Sequence, residues 1–111
     1  MKRVFVCSPY AGDIEGNTRK AREYCRLETI QGNLPFAPHL LFPQFMDDGN
    51  AQQRELGIRM GLEIMKHCDE LHVYGDRISS GMAREIATWR EMGRVEKRLT
   101  VTILIKETPG Q

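Results

Sequence analysis

Residues 71–85 read Leu71-His72-Val73-Tyr74-Gly75-Asp76-Arg77-Ile78-Ser79-Ser80-Gly81-Met82-Ala83-Arg84-Glu85. The apolar start of this stretch predicts a strand over residues 71–74, and the helical spacing after it predicts a helix over residues 81–93. A turn through Ser79, Ser80 and Gly81 leaves the first amides of that helix unpaired and pointing outward, and such amides bind anions. Glu85 would then lie in the first helical turn, at the mouth of the anion site. If Glu85 is partly exposed there, the helix dipole is expected to favour its ionised form by roughly 0.3–1 kcal/mol.

The rest of the chain alternates between strand and helix patterns. Residues 4–7 are a short, continuously apolar run, which is typical of a strand buried on both faces. A helix is predicted to begin near Asn17, a favourable N-cap residue, and to stop at Gly32-Asn33. The remaining predictions are a weaker strand over residues 34–37, an apolar loop over 39–50, a helix over 51–67 and a last strand over 100–105.

Alternating strands and helices predict a three-layer α/β/α domain of the Rossmann-like (flavodoxin-like) class. With right-handed crossovers, four parallel strands most economically take the order 2-1-3-4, in one domain spanning residues 1–111. The topological switch then lies between strands 1 and 3, and ligands bind outside the carboxyl ends of such strands. The loops placed there, residues 8–17 and 75–81, are rich in Ser, Gly, Asp and Tyr. We therefore expect a small polar ligand at this edge.

The composition restricts the classes of partner. The chain has 111 residues, of which 41% are hydrophobic and 28% charged, as in an ordinary globular protein. Its net charge is only +1, from 16 basic and 15 acidic residues, so no nucleic-acid partner is predicted. No apolar run approaches the roughly 20 residues of a membrane span. Met1-Lys2-Arg3 leads into a strand and not into a signal peptide, so no membrane partner is expected.

Cysteine and histidine usage predicts neither a disulfide framework nor a metal site. The three cysteines are odd in number and lack the C-x-x-C spacing, so we interpret them as buried thiols of a cytoplasmic protein. They are Cys7, Cys25 and Cys68. The three histidines also lack the spacing of zinc ligands, and neither a metal nor another cofactor is predicted. They are His39, His67 and His72.

Residues at the predicted switch point resemble a known superfamily. The matching features are Cys7-Ser8-Pro9-Tyr10 after the first strand, Asn17 at the first helix, and Ser79-x-Gly81-x-x-x-Glu85. Together they look like the nucleoside 2-deoxyribosyltransferase-like superfamily, over nearly the whole chain. Within it, the segment Pro38-His39-Leu40-Leu41-Phe42-Pro43-Gln44-Phe45 is similar to one found in a small bacterial and phage group of unknown function.

This resemblance implies an activity. In that superfamily the glutamate that matches Glu85 attacks the anomeric carbon of a nucleoside and forms a glycosyl-enzyme ester. At the position of Ser79, transferases that act on free nucleosides carry an aspartate. Relatives that hydrolyse nucleoside 5'-monophosphates carry a serine there, which holds the phosphate. The resemblance therefore implies N-glycosidic cleavage or transfer on a nucleotide or nucleoside, with Ser79 favouring a phosphorylated substrate and hydrolysis.

The candidate residues take roles that such chemistry requires. Glu85 is the expected nucleophile, and Tyr10 would orient it or pack beside the sugar. Asp76 is the expected acid for the leaving base, with Asp13, Asp47 and Asp48 as alternatives, while Arg77 or Arg19 could add positive charge. The residues expected to bind substrate or phosphate are Ser8, Gly12, Asn17, Ser79, Ser80 and Gly81. Many of these also have plain structural interpretations, because serine and asparagine cap helices and His39 could simply hold the long loop.

Two other functions stay open at the level of sequence. The acidic residue that superfamily members use for the base has no clear match, and the polar C-terminal segment looks too short to complete a neighbouring subunit's site. A nucleotide-sensing module without turnover is therefore one alternative. An assembly protein without a ligand is the other, because the apolar loop residues 40–46 and the pair Gly57 and Gly61 could serve subunit contacts. A homodimer or larger homo-oligomer is predicted from that loop.

Overall fold

A four-stranded parallel sheet with helices on both faces forms the protein, as described by a computed structural model over residues 1–99. The strand order is β2-β1-β3-β4, which confirms the predicted fold class and topology. The strands are β1 (Arg3–Cys7), β2 (Leu34–Phe36), β3 (Glu70–Val73) and β4 (Lys97–Arg98). The helices are α1 (Ile14–Ile30), α2 (Pro38–Leu41), α3 (Ala51–Met65) and α4 (Ser80–Glu91), with a 3₁₀ turn at Phe42–Gln44.

The two faces of the sheet carry separate apolar clusters. On one face Phe5 and Cys7 of β1 belong to the cluster that holds Met82 and Trp89 of α4. On the other face Val6 of β1 packs in the cluster formed with α1. Successive side chains of a strand point to opposite faces, so the alternation along β1 assigns α4 to one face and α1 to the other. We call these the α4 face and the α1 face.

Helix α1 begins earlier than the sequence pattern predicted. Asp13, not Asn17, is the N-cap residue, and its carboxylate accepts a hydrogen bond from the Gly16 amide at 3.1 Å. Asn17 lies inside the helix and its side-chain amide donates to the backbone carbonyls of Tyr10 (3.0 Å) and Ala11 (3.3 Å). The prediction failed because Asp and Asn are equally good N-caps and the pattern alone does not choose between them.

The apolar segment at residues 39–50 was predicted as a loop but contains α2 and the 3₁₀ turn. It packs against α3 at Gly57 and Gly61, where an added Cβ would lie 3.5–3.8 Å from side-chain atoms of Pro38, Phe42 and Met46. The two glycines therefore allow close approach within one chain. Their use for subunit contacts, one support of the assembly alternative, is wrong for this surface of α3.

The boundaries of the other elements differ from prediction by a few residues. β2 ends at Phe36, α3 ends at Met65, β3 is shifted to Glu70–Val73, and α4 ends at Glu91. Residues 96–98 were predicted as solvated surface before the last strand, but Lys97–Arg98 pair with β3 as β4 while their side chains stay exposed. The predicted strand at residues 100–105 lies outside the described residues. Within residues 1–99 no helix has the length and apolar character that crossing a membrane requires.

A buried polar network fastens α1 to the sheet. The Glu28 carboxylate is fully buried and accepts hydrogen bonds from Tyr74 (2.6 Å) and Asn33 (2.8 Å). His72 of β3 lies between two carboxylates, with Nδ1 2.5 Å from Glu28 Oε2 and Nε2 2.7 Å from Glu70 Oε1. Both ring nitrogens therefore face acceptors, which requires the doubly protonated imidazolium. Burial acts to lower the pKa of His72, but the two carboxylates together raise it above its ordinary value.

Replacing His72 by glutamine should destabilise the fold in a pH-dependent way. Removing one partner of a buried ion pair costs roughly 3–5 kcal/mol, because the remaining charges stay buried. A histidine whose pKa is raised by folding stabilises the protein below pH 6.5, and that contribution is lost as pH rises through the folded pKa. Urea unfolding should therefore show a large loss for His72→Gln near pH 6 and a smaller one at pH 9. Exposed His67→Gln is the matched control, and an equal loss in both variants would contradict the network's role.

Candidate active site at the carboxyl ends of β1 and β3

The loops that follow β1 and β3 meet at one edge of the sheet. Cys7 pairs with Val73 in the parallel register, so both strands end together. Gly75 has a φ of +104°, which L side chains rarely adopt, and a Cβ there would lie 3.2 Å from Pro9 Cδ. The close approach of the two loops therefore depends on glycine at this position. The predicted topological switch point is confirmed as the place where the candidate loops converge.

Glu85 projects from the second turn of α4 into the α4 face, beside Cys7. Its Oε1 atom is buried and has no hydrogen-bond partner in the part of the chain that the structure describes. Burial raises the pKa of Glu85 to about 8, and the neighbouring Cys7 thiol lowers it by a smaller amount. The expected preference for the ionised form applied to a partly exposed carboxylate in the first helical turn. Glu85 lies instead in the second turn of α4, where burial raises its pKa.

The start of α4 offers backbone amides beside the same loops. Ser79 is the N-cap residue, and its hydroxyl oxygen accepts a hydrogen bond from the Met82 amide at 3.2 Å. Ser80 and Gly81 follow as the first helical residues, whose amides have no carbonyl one turn earlier to bond to. A Cβ added to Gly81 would meet no atom within 4 Å, so the side-chain position of this residue is open. Ser79 thus caps the helix, while the next two residues are exposed.

Tyr10 is bound to the long loop and not to Glu85. Its hydroxyl donates to Asp48 Oδ2, and its ring stacks on His39 with centroids 4.7 Å apart. His39 Nε2 lies 2.8 Å from the backbone carbonyl of Ser8, so His39 holds the long loop by a hydrogen bond as predicted. Burial lowers the pKa of His39, which makes the neutral ring the donor here. The predicted pairing of Tyr10 with Glu85 is absent from the described residues.

Ser8 and Gly12 occupy different environments in the loop after β1. Ser8 is almost completely buried, and its Oγ has no partner among the described residues. Gly12 has a φ of +97° and its carbonyl accepts a hydrogen bond from the Ile14 amide at 3.1 Å, so it forms the turn that leads into α1. Ser8 thus keeps an unused hydroxyl near the candidate site, whereas Gly12 has a backbone role.

A polar cavity of about 210 Å³ opens on the α1 face of the same edge. Asp76 and Asn17 line it, whereas Glu85 does not. The residues around it are Pro9, Asp13, Asn17, Lys20, Tyr24, Gly75, Asp76 and Arg77. The structure therefore divides the predicted catalytic residues between the two faces of the sheet. Sequence reasoning missed Lys20 and Tyr24, although their spacing from Asn17 places all three on one side of α1.

The structure also contains a cavity of about 270 Å³ beside α4 and β3 that holds none of the predicted site residues. Its lining residues are Val73, Ile78, Ala83, Ile86, Ala87, Arg90, Glu96 and Arg98. Within residues 1–99 no three His, Cys, Asp or Glu side chains are grouped closely enough to hold a metal ion. The candidate site is therefore the edge between the β1 and β3 loops.

Residues 2–98 match a protein family described as "Domain of unknown function (DUF7768)". The chain belongs to this family. The family description assigns no activity, and no curated protein matches the sequence.

Among solved structures, the chain is similar to the 2-deoxyribosyltransferase from the psychrotolerant bacterium Bacillus psychrosaccharolyticus. The TM-score is 0.66 with 20% sequence identity, over 88% of this chain and 72% of the other. At this identity the similarity shows a shared fold. It supports the deoxyribosyltransferase-like architecture that the sequence resemblance implied, and leaves the active-site motif to be tested by experiment.

Replacing Glu85 by glutamine should stabilise the ligand-free protein. A carboxyl whose pKa is higher in the folded than in the unfolded protein stabilises the fold while it is protonated. This contribution to the free energy of unfolding is lost as pH rises from about 4.5 toward about 8. Glutamine mimics the protonated form at every pH, so Glu85→Gln should gain about 1.4 kcal/mol for each unit of pKa increase it relieves. Chemical unfolding at pH 8.5 measures this gain, which should shrink toward pH 5.

Glu91→Gln, at the exposed end of the same helix, is the matched control and should change stability little at either pH. A Glu85→Gln variant that is less stable than the wild type at pH 8.5 would contradict the buried, unpaired state of this carboxyl.

Proposed function

We propose that the protein cleaves or transfers the N-glycosidic bond of a nucleoside 5'-monophosphate or nucleoside, with Glu85 as nucleophile. The observation that carries this proposal is the Glu85 carboxyl, whose Oε1 atom is buried and has no partner among the described residues. It lies beside the sheet edge where parallel α/β proteins bind ligands. Such a group lowers the stability of the resting protein and is typical of functional sites. The shared fold with a 2-deoxyribosyltransferase supports a nucleoside as the class of ligand.

The chemistry follows from the position of this carboxyl. Ionised Glu85 attacks the anomeric carbon, the carbon–nitrogen bond breaks, and its electron pair leaves with the base, which takes up a proton. A glycosyl ester on Glu85 results, and water or a second base then displaces the carboxylate. Positive charge develops on the sugar as the bond breaks. A carboxylate in dry surroundings stabilises that charge more strongly than one in water.

A proton donor for the leaving base is also required. Asp76 is the donor proposed from the sequence, but it lines the α1-face cavity and can serve only a base that reaches across the sheet edge. Asp48 is a second candidate, because Tyr10 binds it and thereby brings the long loop against the loop after β1. In this proposal Tyr10 positions the long loop and packs beside the sugar, in place of orienting Glu85.

We place the 5'-phosphate of the substrate before the start of α4. Ser80 and Gly81 are the exposed first residues of the helix, and the amides of a helix start favour negative charge. The buried Ser8 hydroxyl supplies a further donor from the loop after β1. Ser79 fixes the helix start by capping it, so its contribution to phosphate binding is positional.

A nucleotide-sensing module on the same fold is the second candidate. The raised pKa of Glu85 favours it, because a protonated carboxyl can donate a hydrogen bond to a ligand without attacking it. Turnover distinguishes the two functions, since a sensor binds a nucleotide and returns it unchanged.

Incubation with a panel of nucleosides and 5'-monophosphates, with free base read by chromatography, tests the proposed activity. We expect the wild type to release base and Glu85→Gln to lose at least about 10³-fold in kcat, because the nucleophile is removed. Glu91→Gln should retain activity. For the wild type, kcat/KM should rise about tenfold per pH unit below the pKa near 8 and then level off. Binding of a nucleotide without base release would contradict catalysis and support the sensor.

Self-association is proposed from the long loop. Leu41 and Phe45 are exposed there, by 42% and 65% respectively, and would be covered in a homodimer. Light scattering of the wild type beside a Phe45→Ser variant measures this. A monomeric wild type at micromolar concentration would contradict the proposal.

A further inference from the structure

The Cys7 thiol is buried beside two residues of α4. Cys7 is the last residue of β1, has no exposed surface, and packs with Met82 in the cluster of the α4 face. Its Sγ atom lies 3.8 Å from the backbone carbonyl oxygen of Met82. Glu85 follows Met82 by three positions, which places the two residues on neighbouring parts of the helix surface. The thiol therefore has two possible acceptors, the Met82 carbonyl and the Glu85 carboxyl.

The thiol and the Glu85 carboxyl influence each other's protonation. Burial raises the pKa of Cys7, and the negative charge of Glu85 raises it further. Cys7 therefore stays a neutral S–H group at physiological pH, where it acts as a weak hydrogen-bond donor and not as a nucleophile. In the opposite direction, burial raises the pKa of Glu85 to about 8, while the Cys7 thiol acts to lower it.

The other charges near this pair act on Cys7 and not on Glu85. Within residues 1–99, Cys7 is the one ionisable group that shifts the pKa of Glu85. The charges of Glu96 and Arg98 reach Cys7 and change its pKa in opposite directions. Glu96 is itself paired with Arg90. The hydrogen-bonding state of Cys7 therefore depends chiefly on whether Glu85 carries a charge.

The single thiol proton can serve only one of its two acceptors at a time. The Met82 carbonyl is a weak partner, because a carbonyl inside a helix already accepts the amide four residues later. A protonated Glu85 competes poorly for the thiol, since it lacks a charge. An ionised Glu85 competes well, because hydrogen bonds to an ionised acceptor are roughly twice as strong as those between neutral groups. Ionisation of Glu85 should therefore turn the thiol from Met82 to the carboxylate.

We propose that Cys7 is a positioning residue for Glu85, with a thiol that donates to the Met82 carbonyl while Glu85 is protonated and to the carboxylate once Glu85 is ionised. In the second state the thiol holds one carboxylate oxygen in place and leaves the other free to attack. The role of Cys7 in catalysis rests on the proposed function. The exchange of its hydrogen bond can be observed in the ligand-free protein.

NMR titration of the ¹³C-labelled Glu85 carboxyl in Cys7 variants measures the effect of the donor. Cys7→Val removes the S–H group and fills its space, so that water does not replace it. The pKa of Glu85 should then rise by about 0.5–1, as expected for the loss of a weak hydrogen bond to a charged group. Cys7→Ser keeps a donor and should hold the pKa at or below the wild-type value. An unchanged or lowered pKa in Cys7→Val would overturn the proposal.

Cys68→Val is the matched control. Cys68 is buried in the same cluster, and its Sγ atom lies 3.7 Å from the carbonyl oxygen of Ile64, which also belongs to a helix. The groups that shift the pKa of Cys68 do not include Glu85. Cys68→Val should therefore leave the pKa of Glu85 unchanged. A rise as large as that in Cys7→Val would reduce the effect to packing and overturn the role of Cys7.

The S–H stretching band in the infrared spectrum reports the exchange directly in the wild type, because its frequency falls when the thiol donates to a stronger acceptor. A difference spectrum against Cys7→Ser assigns the band of Cys7. Between about pH 6 and about pH 9, across the Glu85 pKa of about 8, this band should move to lower frequency. It should stay in place in Glu85→Gln. A wild-type band that does not move would overturn the exchange.

Measurements of activity distinguish the role of Cys7 from the function proposed above. In an active enzyme, Cys7→Val should lower kcat/KM about three- to tenfold below the pKa of Glu85 and leave it near the wild-type value well above that pKa. A pH profile that Cys7→Val does not change would overturn the positioning role. Protein that releases no base but shows the moving infrared band would contradict the proposed function and leave the hydrogen-bond exchange standing.

Discussion

The parallel pairing of β1 with β3 is the constraint on which the rest of the structure depends. β1 lies between β2 and β3, and its residues Val4 to Cys7 have no exposed surface. A strand buried on both faces must be apolar and needs helices packed on both faces of the sheet. Because the crossovers are right-handed and the chain proceeds from β1 to β2 on one side and from β3 to β4 on the other, α1 and α4 lie on opposite faces. Since the paired strands end together, their loops converge at one edge, and the candidate site residues lie on these loops and on the helices that follow them.

Two glutamates with buried carboxyl oxygens have pKa values shifted in opposite directions. Glu28 accepts hydrogen bonds from Tyr74 and Asn33 and contacts His72, and although burial acts to raise its pKa, these partners lower it. Glu85 has one buried oxygen, Oε1, without a partner among the described residues, and burial raises its pKa to about 8 although the Cys7 thiol acts to lower it. The first arrangement holds α1 to the sheet. The second weakens the ligand-free protein and leaves a carboxyl available for chemistry, which is the pattern expected when stability is given up for function.

The sheet order could be predicted from the sequence because it follows from local periodicity and a general rule of handedness. The apolar run of β1, the turn at Ser79 and the helix of Glu85 are all local features. The start of α1 at Asp13, the segment at residues 39–50 and the bond between Tyr10 and Asp48 could not be predicted in the same way. They depend on which residues the folded chain brings together, and tertiary contacts override local preference there.

The sequence pattern also could not predict that the candidate site residues are divided between the two faces of the sheet. Asp76 and Glu85 are nine positions apart and lie at the two ends of one motif, so proximity in sequence suggested a shared site. A strand end that turns into a helix carries its first and last residues to different sides of the sheet edge. Only the packing of Tyr24 and Cys7 in separate clusters shows on which face each carboxyl lies.

The protonation state of Glu85 is the property on which its proposed role as nucleophile depends. Protein labelled with ¹³C at glutamate side-chain carboxyls can be titrated by NMR, and Glu85→Gln identifies the resonance by its absence. We expect this carboxyl to titrate near pH 8, and we expect its pKa to fall when a ligand supplies the missing hydrogen bond. A Glu85 resonance that titrates near pH 4.5 would show a hydrated carboxylate and contradict the central claim.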